Sequence, residues 1–302
     1  MSWAATLALL LGVRGVWGGT SPFASFTMPS GISSSSLSSS AGGKAVCLTG
    51  NIQLAVQSTN RKILVAAPAD QYQTTQAFVL MQQVGSNYAT ASVGGPNPVS
   101  GSYSIYSKLC LPSGTGTATT VQFLTHGATL DHTYWDAAPG YSYVDAAAAA
   151  GFATFSYDRV GTGRSSHPDP LQVVQAPLHV EVAHGLIQLL RGATLAGVGF
   201  THLVGVGHSA GSAIMQGVTT KYPADYDAII LTGTSTSLES LNAATAGFAT
   251  ELARLDPSGR FSSLANGYFS QGAVTQAVQF SFWSYPNFNT SRESPSPVAA
   301  PG

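Results

Sequence analysis

The chain of 302 residues is predicted to adopt an α/β fold around a mostly parallel sheet, on three observations. Short apolar runs recur at 121–124, 152–157, 203–206 and 228–231. Strands buried on both faces read as continuous apolar runs of this length. Helix-compatible segments separate the runs, as βαβ crossovers between parallel strands require. The third run leads straight into Gly207-His208-Ser209-Ala210-Gly211, a small-residue turn between a strand and a helix.

The chain opens with an apolar stretch over 3–13, too short to span a bilayer, followed by Arg14 and Val16-Trp17-Gly18. That pattern predicts a signal peptide at 1–18. Ser and Gly dominate 30–43, so 19–45 is expected to be a disordered leader with too little apolar side chain to order itself. The main domain is expected over 46–302. The two cysteines, Cys47 and Cys110, would form either a disulfide across the first part of the fold or a pair of buried thiols. An oxidising compartment favours the disulfide. Together with the acceptor Asn289-Thr290-Ser291, these features point to a secreted protein. Between the cysteines the pattern is short and β-like, clearest at 76–81 and alternating at 103–106. Gly94, Gly95, Pro96 and Pro98 read as hairpin loops.

Beyond the second parallel run, Pro177 suits the first turn of a helix in which Leu178, Val182, Leu186 and Leu189 share a face and Gly192 follows the end. After Thr232 the chain turns Ala-rich with helical spacing over 238–255 and 264–282, which predicts a helical lid over 235–285. Residues 289–302 are Pro-rich and are expected to form a disordered tail, so the sheet is expected to lack its last strands. Only 8% of residues are charged and the formal net charge is −1, with no basic run to hold phosphates. Nucleic acid and anionic membrane surfaces are poor partners for such a chain. No later segment is apolar enough to span a membrane, and no G-K-[ST] phosphate loop occurs, so no cofactor is expected.

The five-residue turn carries the chemistry. A serine forced into a tight strand-to-helix turn needs neighbours without Cβ atoms two positions before and two after it, which Gly207 and Gly211 supply. Its hydroxyl then stands clear of the sheet, beside the amides and positive dipole end of the helix that follows. Ser209 is therefore the candidate nucleophile. His208, on so sharp a turn, is expected to point elsewhere.

Two further segments resemble the α/β-hydrolase superfamily, in particular members with an alpha/beta hydrolase-1 type domain. Phe123-Leu124-Thr125-His126-Gly127-Ala128 ends the first parallel strand with a His-Gly step. Tyr157-Asp158-Arg159-Val160-Gly161-Thr162-Gly163-Arg164-Ser165 is similar to the family's D-R-x-G-x-G-x-S loop. The resemblance covers about 70–285 and implies an oxyanion hole made by the backbone amides of Ala128 and Ala210. It also implies a small carboxylic ester or similar acyl substrate, and loop-pinning roles for His126, Gly127, Asp158 and Arg159.

In this family an acid and then a histidine follow the nucleophile. Here all seven histidines precede Ser209. Asp225 and Asp227 flank a strand, and Asp256 lies in a turn-like Leu255-Asp256-Pro257-Ser258-Gly259. Three readings follow: a C-terminally truncated serine hydrolase, a non-catalytic binding protein, or a rebuilt triad using His132 or His167.

Overall fold

Backbone pairing starts earlier than composition implies. The computed structural model describes residues 31–114, 118–237, 245–272, 275–282 and 286. The expected signal peptide at 1–18 and the tail at 289–302 lie outside them. Within the Ser-rich stretch, β1 (Ser33–Ser39) pairs antiparallel with β2 (Ala45–Ile63), Leu37 opposite Leu48 and Ser38 opposite Cys47. For residues 31–45 this corrects the disordered leader expected over 19–45; residues 19–30 lie outside the described residues. An edge strand needs only one paired side, and its neighbour supplies the apolar surface that it lacks. Ile32 is buried in the core, and Gly50 lets the strand close in, since a Cβ there would lie 2.8 Å from the Ser33 carbonyl.

From β2 the chain forms two exposed helices, α1 (Gln71–Gln82) and α2 (Tyr88–Ala91), and returns as β3 (Val93–Pro112). The run at 76–81, expected as β, therefore lies in a helix. Its start is fixed by Asp70, whose carboxylate accepts the Gln73 amide at 2.9 Å. That cap outweighs the apolar run. Gly94, Gly95, Pro96 and Pro98 also lie inside β3 rather than in a hairpin loop, with Pro96 opposite Arg61 and Pro98 opposite Thr59. Only Ser107–Cys110 of β3 pairs on the other side, so these prolines sit where the strand has one free edge. Cys47 and Cys110 face each other across the ladder and form a disulfide.

The parallel part follows the expected runs: β4 (Thr120–Thr125), a short ribbon of β5 (Asp136–Ala138) and β6 (Tyr141–Ser142), α3 (Tyr143–Ala149), β7 (Ala153–Tyr157), α4 (Ala176–Arg191), β8 (His202–His208), α5 (Ala210–Lys221) and β9 (Ala228–Thr232). The main sheet has the order β1-β2-β3-β7-β4-β8-β9, with β7, β4, β8 and β9 parallel. Alternate residues of β4 face two cores. Phe123 packs with Leu178, Val182 and Leu186 of α4, whereas Leu124 packs with Trp135, Val144 and the disulfide. The α4 boundaries match expectation, with Pro177 in the first turn and Gly192 at the C-cap.

Beyond β9 the expected helical lid is mostly not helical. Glu251–Leu252 (β10) pairs with Phe269–Ser270 (β11), Ala253–Leu255 is a 3-10 turn, and among the described residues helix is confined to 245–247 and Thr275–Phe282 (α6). Gly259 and Gly267 adopt positive φ, +70° and +99°, which breaks the spacing that Ala and Leu content suggested. This segment docks on α1: Phe78 meets Phe269 edge-on at 5.8 Å, and Gln71 exchanges hydrogen bonds with Thr250 and Leu252. The residues after β9 thus pack on the insertion between β2 and β3. No described helix is long and apolar enough to cross a membrane.

Candidate active site

Ser209 occupies the junction of β8 and α5 with φ 52° and ψ −118°, a left-handed conformation that costs free energy in a residue with a Cβ. The strain is held from both sides. The Ser209 amide donates to the Thr232 carbonyl at 2.9 Å, Ser212 Oγ donates to the same carbonyl, and Thr232 Oγ1 donates to the Gly207 carbonyl at 2.8 Å. Both elbow glycines are required by contact. A Cβ on Gly207 would lie 2.7 Å from the Ser212 nitrogen, and one on Gly211 would lie 2.0 Å from the Thr125 carbonyl oxygen. The Ser209 side chain is exposed, as the sharp turn dictates.

The loop after β4 comes over the serine. A Cβ on Gly127 would approach Ser209 Cβ to 3.1 Å and the His208 carbonyl to 3.2 Å. Ala128 follows it, half-buried, and Ala210 is the first residue of α5, where amides have no acceptor within the helix. The structure thus brings Gly127, Ser209 and Ala210 together, with Ala128 next in the loop.

None of the seven histidines is hydrogen-bonded to Ser209 among the described residues. His126 is buried, with Nε2 accepting the Arg159 amide at 3.1 Å; burial and then the Arg159 charge push its pKa down to about 3. His132 Nδ1 meets Asp158 Oδ1 at 2.6 Å, and its ring lies 4.9 Å from that of Tyr106 on β3. With β7 and β4 between β3 and β8, and about 4.8 Å per strand, Tyr106 sits roughly 14 Å across the sheet from the elbow. His167 packs edge-on to Tyr268, His179 lies beside Arg159, and His184 pairs with Asp225 at 2.7 Å. His202 begins β8, at the opposite end from Ser209. His208 is adjacent in sequence, yet its Nδ1 lies 3.2 Å from Thr232 Oγ1 and its ring stacks on Tyr134 at 4.8 Å; burial lowers its pKa. Tyr134 was not singled out by the sequence, because a stacking partner in a loop carries no spacing signal.

The carboxylates are also in use. Asp225 accepts from His184 and Gln188, Asp227 accepts the Leu203 amide at 2.7 Å, and Asp256 accepts the Ser258 amide within a turn. Asp131, His132 and Asp158 present ligand atoms within 4.8 Å of one another, the geometry a metal ion needs. Their lone pairs hold the loops instead: Asp158 accepts from His132 and the Arg164 amide, and Asp131 from the Thr133 amide. Asp158 and Arg159 do pin loops, each separately, since Arg159 Nη2 donates to the Gly127 carbonyl at 3.1 Å.

A family model described as alpha/beta hydrolase family matches residues 123–300, more than half of the chain. Comparison with curated proteins finds no match. Among solved structures, an epoxide hydrolase from Vigna radiata is similar at 19% identity and TM-score 0.34, over 43% of this chain and 34% of that one. An esterase from Exiguobacterium antarcticum is similar at 15% identity and TM-score 0.33, over 43% and 41%. A probable hydrolytic enzyme from Pseudomonas aeruginosa reaches 21% identity and TM-score 0.36, over 50% and 41%. The chain thus spans less than half the length of each of these structures. Its central sheet and its match over 123–300 make it a member of the alpha/beta hydrolase family.

Proposed function

We propose that Ser209 is the nucleophile of a hydrolase acting on a carboxylic ester or similar acyl group, with the Ala128 and Ala210 amides as oxyanion donors. The observation that carries this reading is the strained, exposed Ser209 at the first turn of α5. Strain of this kind persists only where surrounding structure over-determines it, and it concentrates at reacting groups. Attack of Oγ on the acyl carbon would develop negative charge on the carbonyl oxygen, which two fixed amide donors would stabilise, by about 3 kcal/mol each once the bound acyl group excludes water. The alcohol leaves with the proton, and water releases the acid. The Ala, Phe and Leu content of the segment after β9 supports an apolar acyl group. The cysteine bridge and the leader-like first residues support a secreted setting.

A second reading has its own support: none of the seven histidines hydrogen-bonds Ser209 Oγ among the described residues, which favours a non-catalytic acyl-binding protein. A fluorophosphonate probe separates the two. The first reading expects phosphonylation of wild type, slow for want of a base, and none of Ser209→Ala. Absence of label on well-folded wild type rejects it in favour of the second.

A further inference from the structure

Arg159 carries a charge that no described carboxylate neutralises. Its side chain is buried at 7% exposure, with Nη2 on the Gly127 carbonyl, Nη1 3.5 Å from His179 Nε2, and Nε without a partner. No carboxylate pairs with it among the described residues, because neighbouring Asp158 gives its oxygens to His132 and the Arg164 amide. Removing a cation from water without a counter-ion is costly, so its retention calls for a role. Burial lowers its pKa to about 10, which leaves it charged at neutral pH, whereas His126 and His179 beside it are held neutral by burial and by this charge.

What Arg159 touches suggests that role. The Gly127 carbonyl also lies 2.9 Å from His126 Nδ1, and the tautomer follows from the ring's other nitrogen. Nε2 accepts the Arg159 amide, so the proton sits on Nδ1 and Nδ1 donates. The Gly127 oxygen is therefore drawn into the buried cluster by two donors. Across a trans peptide the N–H points opposite to the C=O, so the Ala128 amide is turned away from that cluster. Gly127 meets Ser209 at this loop.

We propose that Arg159 is a positioning residue that fixes the Gly127–Ala128 peptide as an oxyanion donor and places a permanent positive charge behind it. The proposal rests on Ser209 being the nucleophile. A charge-assisted hydrogen bond is stronger than a neutral one and polarises the peptide it grips. A fixed dipole aimed at developing charge lowers the barrier without reorganising.

The test is the kinetics of Ser209 phosphonylation by a fluorophosphonate, read by intact mass, in wild type, Arg159→Met and Arg159→Lys. In this step the P–O bond to Oγ forms as P–F breaks, fluoride leaves, and the hydroxyl proton passes to solvent. Arg159→Met is expected to lower the maximal labelling rate about 100-fold with the half-saturating probe concentration unchanged, and Arg159→Lys to recover part of it. A purely structural role would move both constants and give lysine no advantage. A folded Arg159→Met labelling at the wild-type maximal rate overturns the proposal and leaves Ser209 standing, whereas folded wild type that takes no label overturns both. If Arg159→Met does not fold, Arg159→Gln, which keeps an amide donor but not the charge, decides: a wild-type maximal rate in that folded variant overturns the proposal.

Discussion

Gly211→Ala is expected to destabilise the protein by about 3 kcal/mol or more, the upper range for forcing a methyl into filled space. The new Cβ would lie 2.0 Å from the Thr125 carbonyl oxygen and 2.8 Å from that of His126, both of them backbone atoms at the end of β4. Backbone at the centre of a sheet cannot step aside as a side-chain tip can. The clash would also push apart the two loops that meet at Ser209, so labelling should fall with stability. Gly95→Ala is the control: among the described residues nothing lies within 4 Å of a Cβ there, and a change within about 0.5 kcal/mol is expected. Urea unfolding of the two variants checks the contrast.

Breaking the Cys47–Cys110 bridge is expected to cost about 3 kcal/mol, as for native disulfides that close long loops. The bond spans 63 residues, including α1 and α2, and both cysteines are buried against Leu124, Trp135 and Val206. Because the β2–β3 ladder also holds this loop, the effect should appear as an earlier urea midpoint for Cys47→Ala/Cys110→Ala, with the hairpin still formed. An unchanged midpoint would mean that the ladder alone supplies the constraint.

The parallel half of the sheet was legible because its information is local. The runs at 121–124 and 203–206 are buried on both faces, and Pro177 and Gly192 mark the ends of α4 chemically. The N-terminal half was legible only in part, in the strand at 103–106 and the Cys47–Cys110 bridge. There, Ser33–Ser39 orders because β2 offers it a partner, a fact absent from its own composition. The run at 76–81 is helical because Asp70, outside the run, caps it. In the segment after β9, Gly259 and Gly267 overrode an Ala-rich pattern. At the site, the elbow could be read because contact demands glycine at 207 and 211, whereas the grip of Arg159 on Gly127 depends on two loops meeting across the sheet.

The proposal's central claim is that Ser209 is a nucleophile beside two oxyanion donors, and no described histidine is hydrogen-bonded to it. Its most direct test is the pH dependence of Ser209 phosphonylation between pH 5 and pH 10. A serine that loses its proton to solvent should label at a rate that climbs steadily with pH, with no inflection in the imidazole range. A sigmoid with its midpoint near the ordinary histidine value, about 6.5, would contradict the account, since it would mean that one of the seven histidines reaches Oγ after all.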